Sequence, residues 1–225
     1  ATVETGKTMA VTGTMNMENG SSLTNNGEFA INSTNSLHLG GTFTNMGELS
    51  VGTEDGSKTG LLELDAGGKL INSGLVNVYA GSTLRNAGTF ENGANAACNV
   101  RAKFVNSKGA TFKNGNGAEC NLENSNLENN KTAEFTNNGT FNMGGGDLNS
   151  NGVDLTNSGT FHMNALSGKV RLTGAKLVNT GTFNMTSGTF ESNGTALVNR
   201  GTATISGGTM SGFGCVIDTS AGKGL

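Results

Sequence analysis

The feature that most restricts this chain is a phrase that returns about every twenty residues. It reads Phe135-Thr-Asn137-Asn-Gly139-Thr-Phe141-Asn-Met143, then Leu155-Thr-Asn157-Ser-Gly159-Thr-Phe161-His-Met163, then Leu177-Val-Asn179-Thr-Gly181-Thr-Phe183-Asn-Met185. A fourth copy runs from Leu197 through Asn199 and Gly201 to Ile205, and the four glycines step by 20, 22 and 20. Earlier copies, Leu23-Thr-Asn25-Asn-Gly27-Glu-Phe29 and Phe43-Thr-Asn45-Met-Gly47-Glu-Leu49, are again 20 apart. Beneath this lies a shorter beat: glycines 60, 67, 74, 81 and 88 are 7 apart. A step of that size holds one short strand and a corner, and three steps make one triangular coil. Internal periods of this length are the signature of stacked-repeat architectures.

Within each step apolar and polar residues alternate, the period of a strand with one buried face. Phe29, Leu49, Phe90, Phe141, Phe161 and Phe183 are expected to point inward and to form one column along the axis, since stacked coils sit about 4.8 Å apart. Thr89, Thr140, Thr160, Thr182 and Thr202 fall between them and are expected to face out. Asn25, Asn45, Asn137, Asn157, Asn179 and Asn199 each stand two residues before a corner glycine. An amide there can donate to the neighbour on one side and accept from the other, giving a ladder. Asp65 and Asn86 are read as further members of that position. The corner glycines are expected to supply backbone angles that a β-carbon opposes. The chain has 37 glycines and no proline, and a proline would delete a ladder donor in every coil it entered.

The expectation is therefore an all-β fold: a right-handed parallel β-helix, or β-solenoid, of about ten triangular coils of 20–22 residues, forming one domain over residues 1–225. Residues 91–134 are expected to hold an irregular coil or loop, because Gly109 and Gly139 are 30 residues apart. Either a loop is inserted near residues 124–131 or the phrase moves to another face of the coil. In the same stretch Cys98 and Cys120 occupy equivalent places 22 residues apart. Two readings stay open for them, a disulfide between adjacent coils or a pair of buried thiols. Cys215 is left over, as a buried thiol or a link between chains.

Composition narrows function by exclusion. The charged share is 14% and the formal net charge −3, with both signs scattered, so there is no basic stripe for nucleic acid. No apolar run is long enough to span a bilayer. His38 and His162 stand alone on outward positions, and no zinc spacing, GxSxG or phosphate loop is present. Glu54, Asp55, Glu63 and Asp65 read as a solvated acidic face rather than a calcium or sugar-cleaving site. With one tyrosine and no tryptophan, aromatic platforms for sugars are lacking. No enzyme activity and no cofactor are expected. Asn-x-Ser/Thr sequons begin at Asn19, Asn32, Asn130, Asn138, Asn184 and Asn193, as chance would supply in a chain so rich in these residues.

The Leu-x-Asn-x-Gly-Thr-Phe phrases resemble the passenger repeats of bacterial autotransporters and filamentous-haemagglutinin-like adhesins. That resemblance implies a secreted right-handed β-helix, extracellular or at the cell surface, used in adhesion or surface structure. As an adhesin module its ligand would be a surface polysaccharide or a host-surface component. The first residues, Ala1-Thr2-Val3-Glu4, are compatible with a mature end left after cleavage of a signal peptide. Neither a membrane β-barrel nor an amphipathic capping helix is recognisable, and the tail 220–225 is short and glycine-rich. Open coil ends are sites for strand pairing, so the expected partner is a second copy, joined head to tail in a filament. An ice-binding surface built on the outward threonines is a third reading.

Overall fold

The computed structural model describes residues 1–212, without the side chains of 195 and 196, and the backbone of Val216–Asp218. These residues form 31 short strands, without helix. The strands are dealt in rotation to three parallel sheets, so that each pairs with the third strand before it and the third after it. Sheet I has 11 strands, from Thr2–Val3 to Val216–Asp218. Sheet II has 10, from Thr8–Val11 to Thr202–Ile205, and sheet III has 10, from Thr14–Met17 to Thr209–Ser211. Three faces wound around one axis make a triangular β-solenoid.

Successive coils in sheet I advance by 20–23 residues with one exception. Lys69 lies over Thr42, an advance of 27. The extra residues lie in an excursion after strand Glu48–Val51 and before strand Gly60–Leu64. Residues 91–134, by contrast, carry continuous strands, among them Ala97–Val100, Lys103–Asn106, Thr111–Asn114, Glu119–Leu122 and Ser125–Asn129. Of the two explanations for the 30-residue gap, the phrase has moved to another face. Gly109 precedes strand Thr111–Asn114 of sheet I, whereas Gly139 precedes Thr140–Met143 of sheet II.

Most of the described strands bury every second residue, and the buried residues largely stack like over like. In sheet II the column runs Met9, Phe29, Leu49, Val76, Cys98, Cys120, Phe141, Phe161, Phe183, Ala203. Phe141 and Phe161 have ring centroids 5.1 Å apart, and Phe161 and Phe183 5.9 Å. Phe90 is not in this column. It stacks between Leu70 and Phe112 in sheet I, and Thr89 goes with it. The words Asn86-Ala-Gly88-Thr-Phe90 match the phrase but turn the corner from sheet III to sheet I. Both corners use the same tight turn, so the phrase alone does not say which corner it makes.

The corner glycines correct a second expectation. Gly139, Gly159, Gly181 and Gly201 do not have positive φ. A β-carbon on Gly159 would instead collide with the carbonyl oxygen of Gly139 in the coil below, and one on Gly181 with that of Gly159. Glycine is needed there because the backbones of successive coils touch. Positive φ belongs to other corners, such as Gly67 at 90° and Gly109 at 78°.

Candidate functional site

The asparagines of the phrase lie on the inner side of sheet I, fully buried. Asn25, Asn45, Asn72, Asn92, Asn114, Asn137, Asn157, Asn179 and Asn199 stack in one file across nine coils. Each of the first eight uses its two amide protons in the same way. Asn137 donates one to Oδ1 of Asn157 at 2.7 Å and the other to the backbone carbonyl of Thr160 at 2.9 Å. Its own Oδ1 accepts from Asn114 at 2.8 Å. The carbonyl acceptor sits at the start of the sheet II strand in the next coil, so each amide joins two coils and clamps a corner. Asn72, Asn92 and Asn114 lie outside the repeated phrase. Asn72-Ser-Gly74 keeps the spacing but continues Leu-Val, and the other two precede four-residue turns.

A shorter ladder occupies sheet III. Asn86 donates to Asn106 at 2.9 Å, Asn106 to Asn129 at 2.8 Å, and Asn129 to Ser150 Oγ at 3.1 Å. Asn86 thus belongs here and not beside Asn25. Asp65 belongs to neither file. Leu64 holds the stacked position opposite Asn86, while Asp65 is exposed one residue beyond, its backbone carbonyl accepting from the Gly68 amide.

Cys98 and Cys120 pair directly across adjacent strands of sheet II, both buried and both free thiols. The disulfide reading is therefore corrected. In-register β-carbons stand about one strand spacing apart, about 4.8 Å, beyond the ~3.8 Å typical of a disulfide. Hydrogen bonding to Cys98, with burial adding to it, pushes the Cys120 thiol well above its ordinary value. Cys215 and the tail 220–225 lie outside the described residues.

Sheet III carries ion pairs between neighbouring coils, Lys103 with Glu128 at 3.1 Å and Arg171 with Glu191 at 3.0 Å, and His38 Nδ1 lies 3.3 Å from the Glu63 carboxylate. Lys169 and Arg171 together hold the Glu191 carboxyl below its usual value. Sheet II is largely uncharged toward its C-terminal end, where Thr140, Thr160, Thr182 and Thr202 form one outward file beside Asn142, His162, Asn184 and Thr204. Earlier along sheet II runs an outer amide file: Asn142 donates to Asn121, Asn121 to Asn99, Asn99 to Asn77, and Asn77 to the Glu48 carboxylate.

The excursion after Val51 is a self-contained turn. Asp55 accepts from the Thr53 hydroxyl at 2.7 Å and from the Ser57 amide and hydroxyl, which lowers its carboxyl to about 2. Glu54 and Asp55 do not join Glu63 in a metal cluster, and among the described residues there is no group of three or more His, Cys, Asp or Glu placed to hold a metal ion. Nor does any described helix cross a membrane.

The first coil differs from those above it. Its strands Thr2–Val3, Thr8–Val11 and Thr14–Met17 pair on one side only. Met9 and Met15 are half-buried, whereas Phe29 and Leu37 directly above them are closed off from solvent. Comparison with family models, with curated proteins and with solved structures finds no match to this chain.

Proposed function

We propose that this chain is a non-enzymatic structural protein of the cell exterior that stacks end to end with copies of itself into a filament. The observation carrying this reading is the coil-over-coil stack itself, in which the strands of three parallel sheets pair along one axis with their equivalents in the next coil. An unpaired strand edge is a template for another strand. A second copy of this chain supplies strands of the right length, at the right angles, with like residues to stack. The contact is heterologous, since one end meets the other, and such contacts propagate. The resemblance to adhesin passenger repeats supports an exterior location, as does a surface of threonine, asparagine and serine.

Electron microscopy of the purified 225-residue chain at rising concentration tests the reading. The expected result is unbranched filaments one solenoid wide, with an axial repeat near 4.8 Å in diffraction. Chains that stay monomeric by sedimentation at the highest soluble concentration would overturn it.

A further inference from the structure

Charge is not spread evenly along the axis. Residues 1–65 hold eight carboxylates against two lysines, residues 66–154 seven of each sign, and residues 155–225 two carboxylates against five cations. Among the described residues, those up to 65 carry an excess of six carboxylates, residues 66–154 balance, and residues 155–212 hold Glu191 against Lys169, Arg171, Lys176 and Arg200, of which the first three are ion-paired with Glu191 or Asp154. Glu4, Glu18 and Glu28 are exposed in the first two coils, and Arg200 is exposed near the other end.

The buried amides have the same sense. All eight Asn-to-Asn bonds of sheet I donate from the lower-numbered residue to the higher. Their direction is fixed by chemistry, because the second proton of each amide reaches a backbone carbonyl, which only accepts. The sheet III file, from Asn86 to Asn106, Asn129 and Ser150, points the same way. Aligned amides sum head to tail as peptide units do in a helix, here leaving the positive end toward the C-terminal coils. The outer file of sheet II runs in reverse, but its four bonds stand against eleven in the two inner files, and it ends on the Glu48 carboxylate. Side-chain charges and buried ladders thus polarise the rod in one direction.

From this we infer that end-to-end association is electrostatically directed: the acidic N-terminal coils of one copy are received by the basic C-terminal coils of the next. The inference rests on the stacking reading and adds its polarity, its partner surface and its sensitivity to salt. Charges near a contact steer encounter by factors of about 10 to 1,000 in rate, and screening at high salt removes the effect.

The test follows light scattering of the full chain as assembly begins, at about 20 mM and about 300 mM sodium chloride, where screening lengths differ roughly fourfold. The initial rate is expected to fall at least about tenfold at the higher salt. At low salt, Arg200→Glu is expected to slow assembly, as is Glu4→Lys with Glu18→Lys. Combining all three substitutions restores complementary ends and is expected to recover most of the rate. These side chains are exposed, and circular dichroism checks that each variant is folded. Filaments that form at a rate indifferent to salt and to the substitutions would overturn the inference and leave stacking intact, joined by backbone edges alone. Discrete pairs of rods lying side by side at low salt would overturn it as well. No assembly under any condition would sink both readings.

Discussion

A buried asparagine is tolerable only when its amide is satisfied, and Asn137 satisfies four groups at once: its own, those of Asn114 and Asn157, and the carbonyl of Thr160. Asn137→Ala should therefore cost about 3 kcal/mol or more, since it strands buried polar atoms as well as removing bonds. Phe161→Ala should cost about 3–5 kcal/mol through its cavity, and Thr160→Ala less than about 0.5 kcal/mol. Urea melts of the three variants check the order. Cys98 and Cys120 give a second expectation. In a Cys215→Ser background neither should react with a thiol reagent until the chain unfolds, because both are buried and the Cys120 thiol is held protonated. At this scale the sequence was most readable where period-two alternation met a bulky residue, as at Phe141 and Phe161. It was least readable at Asp65, where a one-residue offset from the strand decides between core and solvent.

Strands here are mostly four residues long and alternate cleanly, so their existence was legible from pattern alone. Their assignment to sheets was not, and Phe90 shows why: identical turns at two corners carry the same words. Counting strands, rather than matching phrases, would have placed it. The corners also divide glycines into two kinds that look alike in sequence. Gly159→Ala drives a β-carbon into the Gly139 carbonyl, and is expected to prevent stable stacking of that coil. Gly20→Ala meets no atom within 4 Å and should cost only about 1–2 kcal/mol, the penalty of a left-handed conformation. Thermal melts of the two variants separate close approach from backbone angle. The long excursion between Val51 and Gly60 leaves no mark in the sequence, because its glycines, 52, 56 and 60, are spaced much as corner glycines are.

For the whole molecule, a period near twenty with three beats was enough to specify three sheets and about ten coils, because no other packing puts like over like so often. The polarity of the rod was not visible in that period. It emerges only when charges are placed by coil and when each ladder amide is given its direction. One further consequence follows from the parallel pairing. All the hydrogen bonds between coils lie along the long axis, so a pull on the two ends loads every layer in series, and the weakest layer parts first. Each coil that lets go surrenders about 5 Å of rod and frees roughly 70 Å of chain. A fibre built from such units would yield under tension by unwinding in steps, and would absorb work long before any covalent bond was strained.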